Sequence, residues 1–235
     1  MTNPRVSCAF ACHVTGERTT CARLWVAFVR VLVSLARMFV SFEGLDGSGK
    51  TTQLRLLAER LAAEGRDVLM TREPGGTDLG EAIRDLVLHG GNVAPWAEAA
   101  LYAASRAQHV EEVIRPALAR GAIVLCDRYL DSSVAYQGVA RGLGLERVLE
   151  LNLAAVGGLL PDLTLLLQVD PAVAESRMTA HRDRLEREDG GFHARAAEGY
   201  RELAARFPER VVVLDAALPP DELAERIHGA FRGHP

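Results

Sequence analysis

The sequence predicts an α/β protein built on a five-stranded parallel sheet with helices on both faces. Three observations lead to this fold class: five short apolar runs alternate with helical segments, a glycine-rich loop follows the first run, and charged residues follow several of the runs. Alternating strands and helices are typical of βαβ units, whose strands are parallel. Ligands bind beyond the carboxyl ends of such strands, so we expect one cleft at that edge of the sheet.

The predicted strands cover residues 39–43, 67–71, 122–126, 163–169 and 211–214. Apolar residues at helical spacing predict helices over residues 53–64, 79–88, 96–120, 131–139, 145–156, 193–207 and 220–231, and Asp170-Pro171 opens a further helix. Pro116 lies inside the longest of these segments, where a kink or a boundary is expected because proline removes a helical hydrogen bond.

The glycine-rich loop is a phosphate-binding motif. Residues 44–52 read Gly44-Leu45-Asp46-Gly47-Ser48-Gly49-Lys50-Thr51-Thr52 and match the pattern of Gly, four residues, Gly-Lys-Ser/Thr. Its amide groups form an anion nest in front of a helix N-terminus. Lys50, the one lysine of the chain, is expected on the β- and γ-phosphates of a nucleotide, and the Thr51 hydroxyl on Mg²⁺.

Further charges follow other strands. Asp127 follows the third strand, and we expect its carboxylate near Mg²⁺. Arg72, Arg106, Arg128 and the arginines of residues 177–187 are more cations than one triphosphate requires. Two facing phosphoryl groups repel each other until they are neutralised, so this surplus indicates transfer onto a second phosphorylated molecule.

Composition limits the remaining possibilities. Of the 235 residues 49% are hydrophobic and the net charge is −4, which favours a sizeable core and argues against a general nucleic-acid or membrane surface. Cys126 lies in an apolar run and reads as a buried free thiol, which fits the reducing cytoplasm.

Residues 1–37 differ from the rest, with five Arg, one Glu and three of the four Cys. Their apolar run is too short for a membrane span. A secretory signal suits the composition but not an ATP-dependent enzyme, and a metal site from Cys8, Cys12, His13 and Cys21 fits no strong spacing. We expect an extension that is disordered, dispensable or a mis-assigned start before Met38, with one catalytic domain over residues 38–235.

Residues 177–191 alternate arginines with acidic residues. This pattern is typical of an ion-paired, solvated helix face, and equally of a short mobile lid that folds over phosphates and excludes water.

Several motifs together resemble the thymidylate kinase family. They are residues 43–53 around the phosphate loop, Thr71-Arg72-Glu73-Pro74-Gly75-Gly76-Thr77, Asp127-Arg128-Tyr129 with Ser132 or Ser133, Ala135-Tyr136-Gln137-Gly138, Pro161-Asp162-Leu163-Thr164 and Asp183-Arg184-Leu185-Glu186. The resemblance covers residues 38–235. It implies a P-loop fold like that of nucleoside monophosphate kinases, phosphorylation of dTMP to dTDP with ATP and Mg²⁺, and a homodimer.

The resemblance also implies roles for matching residues. Residues 44–52 bind ATP, Thr51 and Asp127 serve the metal, and Asp46 lies near the acceptor sugar. Arg72 and Arg128 hold the acceptor phosphate. Tyr102 stacks on thymine, Arg106 hydrogen-bonds the base, Tyr136 lies against the deoxyribose and Gln137 assists base recognition.

One position departs from part of the family. Some members carry an arginine in the phosphate loop where this chain has Gly47, and others place the basic residues in the lid. We therefore expect Arg182 or Arg184 to stabilise the transferring phosphoryl group, beside Lys50, Asp46 and Arg128.

Alternatives remain at this stage. Tyr102 could be a core aromatic, Arg106 a helix-surface residue, and Ser132 and Ser133 helix caps. The role of Glu43 is open. Another acceptor, or a nucleotide-controlled switch without phosphoryl transfer, would also use a phosphate loop.

Overall fold

The computed structural model describes residues 37–177 and 183–234. The expectations about the extension before residue 37, including its candidate metal ligands, lie outside the described residues. The same holds for Arg182 and for the part of the lid from residue 178 to 182.

A parallel five-stranded sheet confirms the predicted fold class. Its strands are β1 Met38–Glu43, β2 Val68–Arg72, β3 Ile123–Asp127, β4 Leu163–Gln168 and β5 Val211–Asp215, in the order β2-β3-β1-β4-β5. Each begins and ends within one residue of its predicted bounds. The central strands are buried on both faces because their residues are almost all apolar.

Helices cover both faces of the sheet. Their bounds are α1 Lys50–Ala63, α2 Asp78–His89, α3 Pro95–His109, α4 Arg115–Ala119, α5 Leu130–Ser133, α6 Leu145–Ala155, α7 Pro171–Ser176, α8 Gly190–Arg206 and α9 Pro220–Gly233. Among the described residues, none of these helices combines the length and the apolarity that a bilayer-spanning segment requires.

Two π-helical segments interrupt the predicted helices. Val110–Ile114 separates α3 from α4, so that Pro116 lies in the first turn of α4, where its missing N–H leaves no helical bond unmade. Val134–Ala140 continues α5. Such segments widen the helix locally and occur often at functional sites, and this one carries Tyr136 and Gln137.

The sheet register aligns the charged strand ends. Asp127 at the end of β3 is opposite Phe42 of β1 on one side and Arg72 of β2 on the other. Because all strands are parallel, the phosphate loop after β1 and the loops after β2 and β3 meet at one edge. The predicted cleft therefore forms there.

Candidate active site

The phosphate loop has the backbone that its glycines allow. Gly44, Gly47 and Gly49 have φ of +136°, +81° and +90°, a region that residues with a side chain rarely adopt. A Cβ on Gly47 would lie 2.2 Å from the Ala174 carbonyl oxygen of α7. No side chain caps α1, which begins directly after Gly49, so its first amide groups face the cleft as an anion nest.

Lys50 is buried at the base of this loop. Its Nζ donates to the carbonyl oxygens of Gly44 at 3.1 Å and Leu45 at 2.9 Å. Burial and the nearby positive charge of Arg128 lower the pKa of Lys50 to about 8. An anion bound beside this amino group would stabilise its protonated form and raise the pKa of Lys50 towards the usual value.

Thr51 and Asp127 lie together, as the sequence predicts. The hydroxyl of Thr51, in the first turn of α1, donates at 2.6 Å to Oδ2 of Asp127, at the end of β3. A hydroxyl and a carboxylate are oxygen ligands of the kind that Mg²⁺ prefers. The pair therefore fits a magnesium site beside the phosphate loop.

Arg128 connects the phosphate loop to the loop after β3. It has φ +70° in the left-handed region, and its Nη2 donates to Asp46 Oδ1 at 2.6 Å. Its Nη1 donates to the Gly44 carbonyl oxygen at 3.0 Å and to the hydroxyls of Ser132 and Tyr200, both at 3.1 Å. Backbone strain of this kind persists where surrounding bonds hold a functional side chain in place.

Glu43 organises the hydroxyls around Arg128. Its Oε2 accepts from Ser132 at 2.6 Å and from Tyr200 at 3.0 Å, while its Oε1 accepts from the Tyr129 amide. The two hydroxyls also lie 2.8 Å from each other, and their contacts with Glu43 hold both oxygens where they accept from Arg128. Burial and the negative charge of Asp131 raise the pKa of Glu43 to about 7. The open question about Glu43 thus has a structural answer: it supports Arg128.

Two pockets meet at Asp46 and Arg128. The larger, about 1230 Å³, follows the phosphate loop and also contains Thr51 and Asp127. The smaller, about 140 Å³, lies between α3 and α5 with its π segment. Burial favours a neutral Asp46, but the positive charges of Arg128 and Lys50 hold its pKa well below the usual range. This junction places one ionised carboxylate and one guanidinium between the two pockets.

The smaller pocket contains the predicted acceptor residues Tyr102, Arg106, Tyr136 and Gln137, all of them buried. The Arg128 guanidinium lies 5.3 Å from the centre of the Tyr136 ring. Among the described residues, the buried Tyr136 hydroxyl has no hydrogen-bond partner. An orphaned polar atom in a pocket wall is available to a ligand.

Arg106 is a core residue as well as a pocket residue. Its side chain is 2% exposed, so the helix-surface interpretation was wrong. Its guanidinium donates to Glu73 Oε2 at 2.6 Å, to the Tyr129 carbonyl oxygen and Ser133 Oγ at 3.1 Å, and to Asn152 Oδ1. These contacts fix its position, and its place in the pocket wall stays compatible with base recognition.

Arg72 and Arg184 have acidic partners. Arg72 lines the larger pocket and donates to both carboxylate oxygens of Glu81 at 2.9 Å. Arg184, in the described part of the lid, donates to the Val87 carbonyl oxygen at 2.8 Å and to Glu98. The role of Arg184 at the transferring phosphoryl group remains a prediction, and Arg182 lies outside the described residues. Asp170 caps α7 through the Ala172 amide and lines neither pocket.

The structure adds residues that sequence reasoning missed. Arg84 of α2 lines both pockets and donates to the Pro74 carbonyl oxygen at 3.0 Å. Ser132 and Ser133, already part of a sequence motif, lie inside α5 and line the smaller pocket, so the helix-cap alternative was wrong. Glu98 is fully buried beside Gln137. An arginine or glutamate on an amphipathic helix gives no sequence signal that separates these residues from ordinary surface charges.

The fold and the two adjoining pockets define a P-loop protein of the nucleoside-monophosphate-kinase type. The family model for thymidylate kinase matches residues 42–227. The chain belongs to the thymidylate kinase family.

Similar proteins agree with this placement. Thymidylate kinase from Clavibacter sepedonicus is 55% identical over 194 residues, covering 81% of this chain and 92% of that protein. The Deinococcus radiodurans thymidylate kinase is 50% identical over 202 residues, covering 84% and 98%. The crystal structure of thymidylate kinase from Ehrlichia chaffeensis superposes with a TM-score of 0.71 at 32% identity, covering 83% of this chain and 98% of that one.

Proposed function

We propose that this protein transfers the γ-phosphoryl group of ATP to dTMP and forms dTDP and ADP. The observation that carries the proposal is the junction of a phosphate-loop cleft with a buried aromatic pocket at Asp46 and Arg128. A donor in the cleft and an acceptor in the pocket would bring two phosphates together where positive charge neutralises them. Membership of the thymidylate kinase family supports dTMP as the acceptor.

On the donor side, residues 44–52 would bind the ATP phosphates through their amide groups, with Lys50 on the β- and γ-phosphates. Thr51 and Asp127 would hold Mg²⁺, which when bound neutralises phosphate charge and orients the triphosphate. Ala216, Leu218 and Arg177 line the same cleft and would contact the base of ATP. Arg177 is fixed by its bond to the Ala216 carbonyl oxygen at 3.0 Å.

On the acceptor side, Tyr102 would stack on thymine, and Arg106 and Gln137 would bind the polar edge of the base. Tyr136 would lie against the deoxyribose, where a ribose 2′-hydroxyl would crowd its ring. Arg128 would bind the phosphate together with Arg72, and Asp46 would contact the sugar.

The chemical step requires little beyond positioning and charge stabilisation. Arg128 would hold the acceptor phosphate in line with the γ-phosphoryl group while Lys50 neutralises the donor. Arg184 or Arg182 would complete the charge around the transferring group once ATP is bound. For Arg184 this requires exchange of its Glu98 contact for the phosphates.

A homodimer is the proposed assembly. Leu79 and Leu86 of α2 are half exposed and lie seven residues apart, on one face of that helix. Light scattering of the wild type and of Leu86→Glu tests this: a dimer that becomes monomeric supports the α2 face, and an unchanged dimer excludes it.

The function is tested by ATP turnover with Mg²⁺ and a panel of acceptors: dTMP, dUMP, ribosyl-TMP, dCMP and dGMP, with no acceptor as the blank. We expect high turnover with dTMP, lower turnover with dUMP and little with the ribose form. Preference for another acceptor would keep phosphoryl transfer but overturn the roles of Tyr102, Arg106 and Tyr136. Turnover that no acceptor increases would refute the proposal and favour a nucleotide-controlled switch.

A further inference from the structure

Glu98 is a buried carboxylate in the first turn of α3, and neither the motifs nor the proposed chemistry uses it. Its side chain is fully buried. It accepts from Gln137 Nε2 at 2.9 Å and from the guanidinium groups of Arg141 and Arg184. Burial of a carboxylate is costly unless hydrogen bonds satisfy its lone pairs, and these donors reach both of its oxygens.

Two guanidinium groups donate to Glu98. Arg141 Nη2 lies 3.4 Å from Glu98 Oε2 and is itself tied to Glu188 at 2.6 Å. Arg184 reaches the same oxygen and is fixed through its backbone amide to the Leu88 carbonyl oxygen at 3.0 Å. A guanidinium group has donors and no acceptor, and both carboxylate oxygens of Glu98 accept from one. Glu98 therefore offers no proton to Gln137.

This restricts the Gln137 carboxamide to one orientation. Its NH₂ group must face Glu98, so its carbonyl oxygen points away from the carboxylate. Gln137 lines the smaller pocket, and within residues 37–177 and 183–234 no group donates to its Oε1. The Gln137 carbonyl oxygen is thus available as a hydrogen-bond acceptor for a ligand in the smaller pocket, and the contact of its NH₂ group with Glu98 fixes its orientation.

We propose that Glu98 is a positioning residue that fixes the Gln137 carbonyl as an acceptor and thereby selects bases that carry an imide N–H. Thymine and uracil donate from N3, whereas cytosine has an unprotonated nitrogen at that position, which would face the Gln137 oxygen lone pairs. This inference rests on the proposed function only in placing a pyrimidine monophosphate in the smaller pocket.

The test is equilibrium binding of dTMP and dCMP to the full chain, measured by calorimetry without ATP. In Glu98→Gln, the new carboxamide can present either its oxygen or its NH₂ group, so Gln137 loses its fixed orientation. We expect the dTMP-to-dCMP affinity ratio to fall about tenfold, as for one lost buried hydrogen bond. Glu146→Gln, which neutralises an exposed carboxylate paired with Arg206, is the matched control and should keep the wild-type ratio.

Two further variants keep the test decisive. Gln137→Leu should lose the preference to the same extent, and the double variant should lose no more than either single change, because Glu98 acts through Gln137. If Glu98→Gln does not fold, Glu98→Asp retains the charge between the two arginines, withdraws the acceptor from Gln137 and should also lose preference. An unchanged ratio in the folded Glu98 variant or in Gln137→Leu overturns the proposal.

The binding assay separates this inference from the kinase proposal. Wild-type protein that prefers dTMP in binding but forms no dTDP would refute the proposed function and leave the role of Glu98 standing. Wild-type protein that binds both nucleotides equally would refute the role of Glu98 even if both were phosphorylated.

Discussion

Replacement of Gly47 by alanine tests how the phosphate loop is packed in this chain. The residue has φ +81°, and an added Cβ would meet the Ala174 carbonyl oxygen at 2.2 Å and its carbon at 2.9 Å. Left-handed backbone costs a residue with a Cβ about 1–2 kcal/mol. Relief of the contact requires the loop and α7 to separate by about 1 Å, and such overpacking adds about 1–3 kcal/mol.

We therefore expect Gly47→Ala to lower the free energy of unfolding by about 2–5 kcal/mol. Gly65→Ala is the control, because Gly65 has a similar φ of +78° and open space where its Cβ would lie. It should lose only the backbone contribution of about 1–2 kcal/mol. Urea denaturation without nucleotide measures both variants. Equal losses of unfolding free energy in the two variants would show that α7 does not pack against the phosphate loop. In that case the loop would also have room for an arginine at position 47.

Three other variants or conditions give sharp expectations. Folding raises the pKa of Glu43 from 4.5 to about 7, so between these pH values the folded state holds a proton on Glu43 that the unfolded state has lost, and the free energy of unfolding falls as pH rises. Over the same range, the stability of Glu43→Gln relative to the wild type should rise in urea titrations. If the stabilities of the two proteins instead change with pH in parallel, Glu43 does not have this raised pKa. Because Lys50 has a pKa of about 8, ATP binding at pH 8 should be accompanied by proton uptake, and the affinity for ATP should fall at higher pH. Proton uptake is measured by calorimetry as a binding enthalpy that depends on the buffer. A binding enthalpy that is the same in all buffers would exclude proton uptake by Lys50. Arg106→Leu removes the arginine partner of the buried Glu73, which among the described residues keeps only its contact with His109, and should destabilise the fold by about 3–5 kcal/mol. Arg55→Leu, in an exposed ion pair, should lose less than about 1 kcal/mol. Similar losses in the two variants would show that Arg106 is not a core residue.

The sheet was predictable because its strands are short apolar runs bounded by charges or glycine. The three central strands, such as Leu163–Gln168, are buried on both faces, and burial of that kind leaves a continuous apolar signal. The π segments were not predictable. Val134–Ala140 is apolar enough to be predicted as an ordinary helix, and nothing in its residue types distinguishes a widened turn from a regular one.

The site residues were predictable where they belong to a local sequence motif or directly follow a strand. Lys50 and Thr51 follow from the phosphate-loop spacing, and Asp127 follows from its position after β3. Contacts between distant segments were not predictable. Arg106 was predicted to bind the base, but its burial was not predictable, because the side chain is held in the core by donating to Glu73 and Asn152, which are 33 and 46 residues away.

The most direct test of the central claim is to incubate the full chain with ATP, dTMP and Mg²⁺ and to quantify the nucleotide products by chromatography. The account predicts equal amounts of dTDP and ADP, formed only when both substrates and the metal are present. ADP without dTDP would contradict it, because the cleft and the acceptor pocket would then not cooperate in one phosphoryl transfer.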